Sequence, residues 1–477
     1  MNQSARTRTT GIAALCALLA PTISVTGSTA SAAESPNVVM VLVDDARLDD
    51  LSTMPYVQQM IGGLGATFSQ SYAPYPVCAP DRATLLTGQY AHNHGVLTNS
   101  PTEGGFAQFR DAQTIATWLD PAYQTGFTGK YINGYGLNGT KTYVPPGWDE
   151  WHASLSPENY VDPAFNDNGV ASTHSGQYIT NVVADQSVDF INTSSAGAEP
   201  FFLMASFPAP HNGTPAEADD PVGYPTPNVG PRTAPGHGGQ FENRPLDPVP
   251  SFNEDPINDK PVKPVLLTQA DIDAITELDQ QRAESLLYVE DAVKRIIAAL
   301  GTEINNTYII FTSDNGFLLG EHRLTGKGTP YEESIGVPLL IRGPNIPQGS
   351  VVRQQTGAMD IAPTILGMTG RTAAPGFVID GVNALPMISN ASLYADRPIV
   401  LEVGPTQPGG AYAYHGIRTS QWKYVERLVR GRLELYDLVA DPYELSNRAR
   451  PVRYDADEAR MKALLDQYIY CAGAACR

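Results

Sequence analysis

Cysteine is scarce in this chain, four residues in 477. A disulfide framework cannot hold a chain of that length, so stability must come from a hydrophobic core, which is large enough here for one large domain and a smaller one. Basic residues are also few, with 31 Lys and Arg against 50 Asp and Glu. That excludes the basic face that nucleic acid or an anionic membrane requires, and it excludes a long polyanion gripped along a broad basic track. Past the N-terminal region no segment approaches about 18 consecutive apolar residues, so no stable membrane anchor is expected. There is no helical repeat and no low-complexity tract. With 42% hydrophobic and 17% charged residues the chain reads as globular, not disordered.

The N-terminus follows a different pattern. Arg6 and Arg8 precede the apolar run Gly11 to Ala20, and Ala30-Ser31-Ala32 supplies an A-x-A cleavage site. Residues 1–32 therefore read as a cleavable secretory signal peptide. Leu15 before Cys16 fits a lipoprotein box poorly and no Arg-Arg pair is present, so export as a soluble, secreted protein is expected. Loss of Arg6 and Arg8 lowers the bases from 31 to 29 against an unchanged 50 acids, taking the net charge from −19 to −21. Cys16 leaves as well. Of the three remaining cysteines, Cys471 and Cys476 are placed to close a small disulfide loop in an oxidising compartment. Cys78 is then the odd one out: buried, paired between chains or used chemically.

Asn37 to Val43 is a short, continuous apolar run, the pattern of a strand buried on both faces of a parallel sheet. It stops at Asp44-Asp45. Thr307 to Thr312 repeats the pattern and runs into Ser313-Asp314-Asn315-Gly316, and Phe201 to Phe207 leads to Pro208-Ala209-Pro210-His211. Val337 to Ile341 reads as another strand. Ile272, Ile275, Leu278, Leu286, Val289, Val293, Ile296, Ile297 and Leu300 follow helical spacing, as do Tyr178, Ile179, Val182, Val183, Phe190 and Ile191. Alternating strands and helices predict an α/β domain over 33–380, a large mostly parallel sheet with helices on both faces. Within it, residues 208–264 hold fourteen prolines and little periodicity, which predicts a surface excursion or a substrate-shaping loop. From 381 to 477 the strands of Gly416 to Val425 and Leu433 to Leu438, then a helix over Asp457 to Tyr468, predict a small antiparallel α+β subdomain.

In such a sheet ligands bind beyond the carboxyl ends of the strands, so Asp44, Asp45, His211, Asp314 and Asn315 are predicted to share one rim. The two Asp and Asp-Asn pairs offer only oxygen ligands, which suits calcium, less so magnesium, and not zinc.

The segment Pro76-Val-Cys78-Ala-Pro80-Asp-Arg82-Ala-Thr-Leu-Leu86-Thr87-Gly88 carries a Cys-x-Pro-x-Arg core that resembles the sulfatase signature, with Gln89 where that family usually has Arg. The resemblance runs from about Pro36 to Trp422-Lys-Tyr and Leu435-Tyr-Asp-Leu. It implies an alkaline-phosphatase-like fold and oxidation of Cys78 to formylglycine by a dedicated maturation enzyme. It further implies Ca2+ held by Asp44, Asp45, Asp314, Asn315 and residue 78, and hydrolysis of sulfate monoesters. Arg82 would orient the hydrated formylglycine. Lys130 and Lys327 match sulfate-contacting lysines, and His211 matches a histidine beside the ester. Where many members have Gly-Lys-Trp-His, this chain has Gly129-Lys-Tyr-Ile132-Asn133, so the base that releases sulfate is left open. That stretch, with His92-Asn-His94, resembles the N-acetylglucosamine-6-sulfatase branch, which implies a sulfated sugar or small molecule as substrate. His92, His94 and His322 could contact the pocket or be structural. The alternatives are a generic arylsulfatase, a phosphodiester or phosphonate hydrolase of the same superfamily, and a sulfated-glycan binding protein with unmodified Cys78.

Overall fold

A computed structural model describes residues 35–477 except 101–103, 218–229, 234–235, 406–410, 430 and 450–454. The predicted signal peptide and part of the proline-rich segment lie outside the described residues.

The apolar runs form strands that are almost wholly buried, because helices cover both faces of the sheet. In chain order the main sheet is built from β1 (Asn37–Val43), β2 (Ala66–Phe68), β3 (Gln124–Gly129), β4 (Glu150–Ser154), β5 (Ala164–Asp167) and β6 (Val170–Thr173). It is completed by β7 (Phe201–Ser206), β8 (Thr307–Ser313), β9 (Leu339–Arg342) and β10 (Ser350–Val352). Their order is β10-β2-β9-β8-β1-β7-β3-β4-β5-β6. The central five, β8-β1-β7-β3-β4, are all parallel, whereas β9 is antiparallel to both β8 and β2. The predicted strand at Val337 to Ile341 thus exists, shifted to Leu339–Arg342.

Helices α1 (Cys78–Thr87), α2 (Ile179–Ser194) and α3 (Gln269–Ala299) are the longer ones before β8. Two apolar clusters divide the core between the sheet faces. One joins α1 to Met40, Phe202 and Ile310; the other joins α2 and α3 to Val39, Val41, Leu203 and Phe311. Alternate side chains of one strand feed opposite cores, as the period of two requires.

A separate four-stranded antiparallel sheet follows: β11 (Ile399–Val403), β12 (Tyr414–Arg418), β13 (Trp422–Arg427) and β14 (Arg432–Asp437). The terminal helix α4 (Asp455–Tyr468) packs on it through Met461 and Leu465. Cys471 and Cys476 are disulfide-bonded and Cys78 is free and buried. The described part of 208–264 contains no helix or strand. No helix among the described residues is long and apolar enough to cross a membrane.

Candidate active site

The register of the parallel strands places the chemistry. Val43 pairs with Ser313, Leu42 with Ser206, and Ser206 with Gly129, so four adjacent strands end level. Asp314-Asn315, Asp44-Asp45, His211 and Lys130 follow those ends directly or within a short turn, which is the rim the sequence predicted. The backbone bonds continue past the strands: Asp44 N donates to Ala209 O at 3.2 Å and Lys130 N to Ser206 O at 2.9 Å. Gly129 is irreplaceable at this junction. Its φ is +98°, and a Cβ would lie 1.9 Å from Ser206 O.

Cys78 opens α1, and the left-handed Gly88 closes that helix. Its Sγ lies 3.5 Å from Asp44 Oδ1, 3.7 Å from Lys130 Nζ and 2.8 Å from Lys327 Nζ. Lys327 reaches in from a turn tied down by Gly328 N to Pro76 O at 3.0 Å. One helical turn after Cys78, Arg82 is wholly buried. Its Nε donates to Asp314 Oδ2 at 2.7 Å, its Nη2 pairs with Asp44 Oδ2 at 3.3 Å, and its Nη1 donates to Lys130 O at 2.6 Å and Ser206 Oγ at 2.9 Å. One guanidinium thus binds the ends of β8, β1, β3 and β7 together.

Burial pushes the Asp44 carboxyl up, but Lys130, then His211, Arg82 and Lys327, together hold it well below the usual carboxylate range. Burial, and then Asp44, push the Cys78 thiol up to about 12, so the unmodified cysteine stays a thiol at neutral pH. Burial would lower Lys130 and Lys327, yet Asp44 for the first and Asp45 for the second keep both cationic.

A divalent cation fits the donors present. One ligand atom each of Asp44, Asp45, Cys78 and His211 lies within 4.8 Å of the others. Asn315 supplies a buried carbonyl oxygen with no hydrogen-bond partner. The carboxylate of Asp314 is engaged by Asp45 N at 3.1 Å and by Arg82. His211 Nδ1 is 2.7 Å from Asn212 O, an acceptor only, so Nδ1 carries the proton. Its Nε2 faces Asp45 Oδ2 at 3.9 Å.

The structure thus brings Asp44, Asp45, Cys78, Arg82, Lys130, His211, Asp314, Asn315 and Lys327 together at one rim. The histidines left open lie elsewhere. His92 contacts Glu402 and Cys471 O, His94 contacts Thr84 and Val96 N, and His322 contacts Glu254. Ile132 is buried in the core. Sequence reading missed Arg282, buried in α3, although it interrupts the apolar stripe four residues after Leu278 and four before Leu286. A charge on the apolar stripe of a helix was the available sign.

A family model described as sulfatase matches residues 36–371, most of the chain. The chain belongs to the sulfatase family. A second model, the C-terminal region of N-sulphoglucosamine sulphohydrolase, matches this sulfatase over residues 320–470. It is 32% identical to the N-acetylglucosamine-6-sulfatase of Capra hircus, over 94% of this chain and 86% of that one. A solved structure of a protein with its substrate D-glucosamine-2-N,6-O-disulfate superposes with a TM-score of 0.74 at 22% identity, covering 91% of this sulfatase and 97% of that chain. The phosphonate monoester hydrolase of Agrobacterium radiobacter shares the fold with a TM-score of 0.66 at 21% identity, covering 90% and 95%. The protein is thus a sulfuric ester hydrolase with an alkaline-phosphatase-like α/β fold.

Proposed function

We propose that this sulfatase removes the 6-O-sulfate from a terminal N-acetylglucosamine or a short oligosaccharide, with residue 78 oxidised to formylglycine and calcium in the carboxylate cluster. The observation that carries it is a buried cysteine side chain held between two ammonium groups and an aspartate, at the mouth of a cluster of oxygen donors. Formylglycine at position 78 supplies a hydrated aldehyde, and so a nucleophilic hydroxyl with a second one able to expel sulfate. Asp44, Asp45, Asn315, Asp314 and residue 78 would hold the cation, which supplies a Lewis acid for the sulfuryl oxygens.

The other roles belong to the chain itself. Lys130 and Lys327 stand where charge builds on the sulfuryl group and are already oriented by Asp44 and Asp45, so little reorganisation is needed during reaction. Arg82 keeps residue 78, Asp44 and Asp314 in register. His211, with Nδ1–H held by a carbonyl, presents Nε2 to the departing alcohol. As the imidazolium, with a proton on each nitrogen, it can give up the Nε2 proton to that oxygen and return to the neutral ring.

Support for the sugar comes from the relative at 32% identity. The acidic chain, with 50 acids against 31 bases, favours a compact terminal unit over a long polyanion. Export with cleavage after residue 32, maturation of residue 78 by a formylglycine-generating enzyme, and a subdomain boundary near 381 belong to the same reading.

Two measurements test it. The tryptic peptide containing residue 78 of active protein carries the mass of an aldehyde; intact cysteine in fully active enzyme rejects the mechanism. Side-by-side kcat/KM values favour N-acetylglucosamine-6-sulfate over matched phosphate and aryl sulfate esters. Brisk aryl turnover with no sugar desulfation returns the protein to a generic arylsulfatase, and faster phosphate turnover to the phosphohydrolase alternative.

A further inference from the structure

Helix α3 sends one wholly buried guanidinium, Arg282, to the strand ends that carry the metal-binding cluster. Its Nη2 donates to Asp45 O at 2.8 Å and to Asp50 Oδ2 at 2.9 Å, and its Nη1 to Pro210 O at 3.4 Å. Its flat face lies 4.6 Å from the ring centre of Phe317, two residues beyond Asn315. One side chain therefore touches the segments following β1, β7 and β8.

The two carbonyls it holds sit at demanding places. Asp45 has a φ of +70°, a left-handed conformation that is costly for most residues with a Cβ and that aspartate tolerates better than most. Pro210 O is the middle of three successive carbonyls, each separately anchored. Ala209 O accepts from Asp44 N, Pro210 O from Arg282, and His211 O from Tyr160 OH at 2.6 Å. The position of His211 relative to Asp45 is thus set by backbone anchors, with Arg282 bonded both to Asp45 and to Pro210, the residue before His211.

We propose that Arg282 is a positioning residue: it holds Asp45 in its left-handed turn and aligns the His211 segment with it, so that the cation and the leaving group are met by a preformed site. This rests on the calcium reading above. Arg282 touches no substrate and acts through Asp45 and His211. Lysine in its place would keep the charge but could not span two carbonyls and a carboxylate in one plane.

The test compares the full-length protein with Arg282→Lys, with Arg282→Met combined with Asp50→Asn so that no carboxylate is stranded, and with Leu286→Ala. Leu286 is buried one turn further along the same helix and reaches none of these carbonyls. Calorimetric titration of chelator-stripped protein with calcium is read beside kcat, KM and Tm. The expected result is a calcium affinity at least tenfold weaker and a lower kcat in the Arg282→Met, Asp50→Asn protein. A smaller loss is expected for Arg282→Lys, and wild-type affinity within twofold for Leu286→Ala despite its lower Tm. Arg282 variants that bind calcium as wild type does, or a Leu286→Ala protein that loses as much, overturn the proposal. A wild-type protein that binds no calcium rejects the metal reading instead. Arg282 is then judged by kcat/KM, with selective loss in its variants supporting it and losses equal to those of Leu286→Ala overturning it.

Discussion

The side-chain amide of Asn315 donates to Asp45 Oδ1 at 2.7 Å and to Gly316 O at 2.9 Å, which leaves its own buried carbonyl oxygen without a hydrogen-bond partner. A buried acceptor left unsatisfied costs about 1–3 kcal/mol, and a hard cation among neighbouring carboxylates removes that cost. Calcium is therefore expected to raise Tm and to restore activity to chelator-stripped protein, while zinc does not. Asp314→Asn keeps the shape of the side chain but removes the charge facing Arg82. It should weaken calcium binding at least tenfold and lower kcat/KM at least a hundredfold, with an unchanged circular dichroism spectrum. Full turnover by metal-free Asp314→Asn protein would count against the cluster as a metal site.

The rim was legible from sequence because it depends on two local facts, an apolar run and the polar residues that end it. Asp44-Asp45 and Asp314-Asn315 needed only the rule that parallel strands deliver their carboxyl ends to one side. Lys130, Lys327 and Arg82 were legible only through the resemblance, since a lone lysine carries no sign that it will be buried against Asp44. The antiparallel sense of β9 was not legible, because a short apolar run looks the same in either direction. Nor were the side-chain partners of His92, His94 and His322, which lie 10 to several hundred positions away: Glu402 on strand β11, Thr84 on helix α1 and Glu254 in the segment before α3.

His322 gives the fold a dependence on pH that is separate from catalysis. Burial opposes its charge, but Glu254 at 2.8 Å and Glu333 at 3.7 Å overcome that and raise it from 6.5 to about 9. Glu444, Lys260 and Lys423 adjoin the same cluster, and burial raises Glu444 to about 7. A folded value above the unfolded one contributes stability that is complete below pH 6.5 and lost as the pH climbs through 9. The stability gap between wild type and His322→Gln should shrink by on the order of 3 kcal/mol across that window in urea unfolding. His94 works in the opposite sense. Burial lowers it to about 3, so its contribution is present above 6.5 and fades as the pH falls from 6.5 toward 3. A gap for His322→Gln that does not change with pH would show that the imidazole is neutral in the fold.

The two lysines beside residue 78 should part company when each is removed. Lys327 is partly open to solvent and is held by Asp45, whereas Lys130 is sealed in and held by Asp44. Lys327→Met removes an ammonium 2.8 Å from the side chain of residue 78 and leaves Asp45 with its bond from Asn315. Its main effect is on the bound sulfuryl group. A preorganised charged donor of this kind is worth roughly 3–4 kcal/mol, so kcat/KM should fall about 10²- to 10³-fold while Tm barely moves. Inorganic sulfate should also inhibit that variant more weakly, because the product carries the same oxygens. Lys130→Met instead leaves Asp44, a wholly buried carboxylate, short of its nearest cation, with His211, Arg82 and the more distant Lys327 left to offset the charge. That variant should lose both activity and several degrees of Tm. Asp44→Asn combined with Lys130→Met should recover Tm but not turnover, since it removes the stranded charge and a metal-binding oxygen together. Paired measurements of kcat/KM, sulfate inhibition and Tm across the three variants decide it. Normal sulfate inhibition in Lys327→Met would remove Lys327 from the sulfate site.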